Sequence, residues 1–177
     1  HGIVRTENST MKQISDTSMK RKAPRIKMSG SEMRVDHKDE AAGWQHLMAS
    51  LGTDSADFMS GAISQLANAV SKGEDANEQG INFALAVIAG VEPQDELETM
   101  LAMQMLAVHM ATMTFTRRLA HVETLDQQHG SERALNKLAR TFAMQLEALK
   151  RYRTGGEQKV IVQHVNVNEG GQAIVGT

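Results

Sequence analysis

The chain has 177 residues, no cysteine and a formal net charge of −2. That length suits one domain with a tail, and the absence of cysteine excludes a disulfide scaffold and thiolate chemistry while fitting a reducing cytoplasm. Near-neutral charge gives no global pull toward nucleic acid or acidic membranes. Aromatics make up only 3% of the chain against 12 methionines. The core must therefore be Leu, Ala, Val, Ile and Met, which suits helix packing and leaves few stacking platforms for bases or sugars.

Residues 1–35 show no sustained periodicity and read as a disordered basic leader. Within it Lys20, Arg21, Lys22, Arg25 and Lys27 form a compact cationic run around Pro24. Without interleaved aromatics, any nucleic-acid contact from these groups is directed at the backbone and independent of sequence. The leader lacks an apolar segment of the kind found in secretory signals, so a cytoplasmic location is expected.

From Asp36 to Thr154 the pattern is helical. A first helix is expected over Asp39 to Leu51, with Trp44, Leu47, Met48 and Leu51 as its apolar stripe and Gly52 as its stop. A second starts near Asp54 and turns Phe58, Met59, Ala62, Ile63, Leu66 and Val70 inward. Asp75 followed by Glu78 predicts a capping box for a third, which carries Ile81, Phe83, Leu85, Val87 and Ile88 and ends at Gly90. Pro93 is expected as the first residue of a fourth helix that runs to about Leu125. Between Met100 and Phe115 this helix is apolar almost all round, which predicts burial on every side and a face against another subunit. Gly130 and Ser131 are expected to end one helix and cap the next. The fifth, Glu132 to Tyr152, presents Leu135, Leu138, Phe142, Leu146 and Leu149 and forms an antiparallel hairpin with the fourth.

Residues 155–177 switch to a β pattern. Val160, Ile161, Val162, Val165 and Val167 precede an Asn168-Glu169-Gly170-Gly171 turn, and Ala173-Ile174-Val175 can return beside them. A lone hairpin is marginal in water, so this one requires helices or other copies to cover it. The expected fold is mainly α: a helical bundle with a long helical hairpin and a short C-terminal β-hairpin.

Chemistry is thinly supported by the sequence. His109 and His121 lie twelve residues apart, about 18 Å along a helix and a third of a turn round it, too far to share an ion. His109 reads as a core or interface histidine. His164, Asn166 and Asn168 alternate onto one strand face and read as a polar face rather than a metal site. Glu92, Asp95, Glu96 and Glu98 crowd a helix start, where capping and the helix dipole account for them. No phosphate-binding Gly-rich loop or nucleophile elbow is present. No catalytic residue, metal, cofactor or small-molecule substrate is therefore expected, and neither is a membrane span. In the fifth helix Arg133, Lys137, Arg140, Lys150, Arg151 and Arg153 outnumber Glu132 and Glu147 and form the second candidate phosphate-contact set.

Four segments carry a resemblance: Gly90-Val-Glu-Pro-Gln-Asp-Glu96; Met100-Leu-Ala-Met-Gln-Met105 with His109; Asn136-Lys-Leu-Ala-Arg140; and Gly156-Glu-Gln-Lys-Val-Ile-Val-Gln-His-Val-Asn-Val-Asn-Glu-Gly-Gly-Gln-Ala-Ile-Val-Gly176. Together they resemble a family of uncharacterised bacterial proteins, partly prophage-borne, over roughly the second half of the chain. The order of basic leader, helices, helical hairpin and β-segment is also similar to phage small terminase subunits, which form rings and recognise DNA. The resemblance implies a prophage or mobile-element setting. With the apolar fourth helix, the missing catalytic motifs and the basic leader and fifth helix, the expected protein is a non-enzymatic homo-oligomer associated with DNA in a small-terminase-like packaging role. The alternative from sequence is a helical protein–protein adaptor without nucleic-acid contact.

Overall fold

The computed structural model describes residues 23–30, 32–71 and 77–155. Among them an antiparallel hairpin, β1 (Ile26–Ser29) and β2 (Glu32–Val35), precedes five helices. These are α1 (Glu40–Ser50), α2 (Ala56–Val70), α3 (Glu78–Val91), α4 (Glu96–Leu119) and α5 (Leu125–Arg153). The fold is mainly α, as expected, with α4 and α5 as a long hairpin. The expected β-segment lies outside the described residues, beyond Gly155, with His164, Asn166 and Asn168.

The expected disordered leader is corrected over its last residues. Ile26 pairs with Val35 and Met28 with Met33, and Gly30, at φ +62°, turns the chain between the strands. Period-two alternation points Ile26 and Val35 into the core and Lys27 and Arg34 outward. A hairpin this short is stabilised from outside. Asn82 of α3 acts as a third strand: its Oδ1 accepts from Ile26 N–H at 2.8 Å and its Nδ2 donates to Ile26 C=O at 3.0 Å. One turn earlier, Glu78 accepts from Met28 N–H at 2.8 Å. Asn82→Ala would leave both backbone groups of buried Ile26 unpaired, and a loss of about 2–3 kcal/mol is expected in urea unfolding. A loss below about 0.5 kcal/mol, the range of neutral surface changes, would show that the hairpin does not depend on this contact.

The core gathers Ile26, Leu47, Leu51, Ile63, Leu66, Ile81, Leu85, Ile88, Ala102 and Leu106 from the hairpin and α1–α4. Each large aliphatic contributes about 1.5–3 kcal/mol on burial. Gly43 in α1 lies against β2; a Cβ there would fall 2.7 Å from Val35 Cγ2. Phe83 is exposed, because Ile81, Leu85 and Ile88 define the buried face of α3.

Several helix boundaries differ from expectation. Asn77, whose side chain accepts from Gly80 N–H, is the N-cap of α3 in place of the expected Asp75 box. Glu92 ends α3 in the left-handed region at φ +52°. Pro93 precedes the N-cap Asp95, and α4 begins at Glu96. The α4–α5 connection falls at residues 120–124 rather than at Gly130-Ser131. Thr124 Oγ1 accepts from Gln127 N–H while Gln127 Oε1 accepts from Glu123 N–H, so orphan donors at this helix start are satisfied from both sides. Gly130 then lies within an exposed turn of α5, where its helix penalty of about 1 kcal/mol is tolerated.

Candidate interaction surface

The base of the hairpin is fastened at a polar junction where three connections meet. Asp95 caps α4 by accepting from Glu98 N–H at 2.9 Å. Glu98, 3% exposed, accepts from Gln94 N–H and from both the Nε and Nη2 of Arg153, the nearest contact being 2.7 Å. The same Arg153 donates to the carbonyls of Val91 and Glu92, capping the end of α3. Tyr152 O–H donates to Asp95 Oδ2 at 2.8 Å. On the other side Thr53 O–H donates to Glu96 at 2.7 Å, and Thr99 O–H donates to Leu51 C=O at 2.6 Å.

The electrostatics follow from these contacts. The Arg153 guanidinium holds the Glu98 carboxyl below the usual carboxylate range. Asp95 is lowered first by Glu98 N–H and then by the Tyr152 hydroxyl, and Asp95 in return pushes the Tyr152 phenol up. The acidic cluster read as capping is therefore also a lock for the end of α5. Arg153, a sequence candidate for phosphate contact, is corrected to a structural role: its charge is committed to Glu98.

Beyond this junction the hairpin runs almost bare. α4 has 24 residues and α5 has 29, so the arms span about 36 Å and 43 Å at 1.5 Å per residue. Of α4 only Glu98, Thr99, Ala102, Met105 and Leu106 are buried, and of α5 only Leu149. The expected burial of α4 on every side is not met within one chain. Leu97, Met100 and Met113 on α4, and Leu125, Met144 and Leu146 on α5, are exposed, Leu125 and Met144 at 71%. The seam between the arms uses Leu135, Leu138, Phe142, Gln145 and Leu149. Gln145 takes the position expected for Leu146 and leaves its buried Oε1 without a hydrogen bond among the described residues.

His109 is exposed on α4, its ring 6.5 Å from that of Phe142, so a fully buried core role is excluded within one chain. His121 Nδ1 lies 2.8 Å from Arg117 C=O, closing the last turn of α4. Among the described residues no three His, Asp or Glu side chains converge as metal ligands. No helix among them is long and apolar enough to cross a membrane.

The remaining basic candidates fall in different places. Lys20, Arg21 and Lys22 lie outside the described residues. Arg25 is exposed at the start of β1, and Lys27 is paired with Asp36 at 2.8 Å. Arg133, Lys137 and Arg140 line one shallow outer groove of α5 with His129, Glu132 and Asn136. Their i, i+4, i+7 spacing places them on one helix face within about 10 Å along the axis. Lys150 and Arg151 are exposed in the last turn; Arg151 borders a second, more apolar groove with Ala143, Met144, Ala148 and Tyr152. The pair Arg117 and Arg118 at the end of α4 also escapes the sequence reading. The signal for them is a dibasic pair closing an otherwise uncharged stretch. Arg118 rests 5.2 Å above the Phe115 ring.

Comparison with protein-family models, curated proteins and solved structures gives no match to this chain.

Proposed function

We propose that this chain is a non-enzymatic, self-assembling helical protein of a prophage or mobile element, with a DNA-associated role of the small-terminase kind. The observation that carries the assembly is the α4–α5 hairpin, on which Leu97, Met100, Met113, Leu125, Met144 and Leu146 stay exposed in a single chain. A solvated helix face ordinarily carries charge, and exposed apolar surface of this extent marks an interaction site. The prophage setting rests on the resemblance of the Gly90–Glu96 and Gly156–Gly176 segments. The DNA contact rests on Arg133, Lys137 and Arg140 sharing one exposed face of α5.

Two measurements test this reading in parts. Light scattering at micromolar concentration should return a multiple of 19.4 kDa, the mass of one chain. Retention on duplex DNA of mixed sequence should fall steeply as salt rises, because contact to phosphates releases counterions. Loss of Arg133, Lys137 and Arg140 together should weaken retention equally on unrelated sequences. No retention at low salt would remove the nucleic-acid part and favour a protein–protein adaptor.

A further inference from the structure

The exposed side of α4 has a symmetry of charge that names its occupant. From Thr99 to Thr116 the helix carries no Asp, Glu, Lys or Arg. Met100, Gln104, Ala107 and Thr114 recur at helical spacing and are exposed, with Ala111 half-buried among them. The Thr114 hydroxyl donates to Met110 C=O at 2.9 Å, so this threonine is satisfied by its own helix. The stripe is bounded by one acid and one base. Glu96 lies eleven residues before Ala107, and Arg118 eleven residues after it. Eleven residues make three turns to within about 20°, so the three side chains lie on one line, about 16 Å apart on either side of Ala107.

We propose that a second copy of this chain covers this stripe, its α4 antiparallel to the first, about a two-fold axis at Ala107. The inference rests on the self-assembly proposed above. A two-fold axis there brings Glu96 of one copy to Arg118 of the other at both ends of the contact, and sets Met100 opposite Thr114. It also opposes the two helix dipoles. Ala107 on the axis lets the helices approach to about 9–10 Å, within the range of helix packing. A parallel pairing would instead place Glu96 beside Glu96 and Arg118 beside Arg118, which the charges disfavour. The isologous contact closes on itself, as most homodimer contacts do.

Because the chain has no cysteine, Ala107→Cys supplies a single thiol. On the axis its Cα would meet its own copy within disulfide range, about 4.4–6.8 Å. Mild oxidation should convert most of this variant to a linked dimer, whereas Arg140→Cys, on the outer face of α5, should stay unlinked. Glu96→Arg and Arg118→Glu should each weaken the homodimer by at least tenfold, and mixing the two variants should restore a heterodimer with both pairs reformed. Assembly that persists with no Ala107→Cys link, or that ignores both charge reversals, would overturn this geometry and leave self-assembly standing. A single chain of 19.4 kDa at every concentration would overturn both.

Discussion

Gly52→Ala is expected to lower stability by about 2–5 kcal/mol, the largest loss foreseen for a change of one methyl group in this fold. Gly52 sits just past the end of α1 at φ +57°, where an L side chain adds strain of about 1–2 kcal/mol. The added Cβ would also meet backbone that cannot rotate away, 2.6 Å from Pro93 O and 2.8 Å from Asp95 N. Overpacking of this kind costs about 1–3 kcal/mol more. Gly52 is where the α1–α2 turn touches the α3–α4 turn, so the clash would push α4 away from the body. A urea midpoint within error of the parent would contradict the close approach. Gly90→Ala is the control, since a Cβ there meets nothing within 4 Å.

Arg153→Ala is expected to cost about 3 kcal/mol near neutral pH, because it strands the Glu98 carboxylate with one remaining donor, Gln94 N–H. Arg153 keeps 37% of its side chain in water, which holds the figure at the low end for a broken buried pair. The sign of the pH dependence follows from Glu98. Its folded pKa is depressed, so the contact stabilises the fold above the unfolded value of about 4.3 and is lost as pH falls through the folded value. The parent should therefore lose stability on acidification below about pH 4.5, and Arg153→Ala should show a flatter acid limb. Adding Glu98→Gln to Arg153→Ala should recover part of the loss at neutral pH by removing the stranded charge. No recovery would mean that the carbonyl contacts to Val91 and Glu92, rather than the ion pair, carry the effect. The Tyr152 phenol, raised by Asp95, works in the opposite direction: its hydrogen bond is present below the unfolded pKa of about 10 and is lost as pH rises through the folded one.

Local chemistry was legible where one residue decides a boundary. Asp39 and Gly52 bracket α1 as their side-chain and backbone preferences require, and the stripe from Phe58 to Val70 packs inward along α2. Elements decided at long range were not. Nothing near Ile26 shows that Asn82 will complete its strand from 56 residues away, so cationic neighbours disguised a hairpin as a leader. Gly130-Ser131 looked like a helix break, yet the cap at Thr124 and the packing of the long seam outweigh one glycine. Leu146 and Gln145 differ by about 100° of helix rotation, and tertiary packing puts the amide rather than the leucine in the seam. Arg153 looked like part of a basic cluster because sequence does not show that Glu98 lies across from it. The uncharged run of α4 was plain in the sequence, but only the structure separates its buried line from the exposed one centred on Ala107.

The central claim is that this exposed line is an interface between copies, and the mass of an Ala107→Glu variant tests it most directly. The substitution places a carboxylate on the axis of the contact while keeping a residue that helices accept. The intact chain is expected to have a multiple of 19.4 kDa in solution at micromolar concentration, and the variant a single 19.4 kDa with unchanged helical circular dichroism. A variant that keeps the parent's multimeric mass would contradict the account.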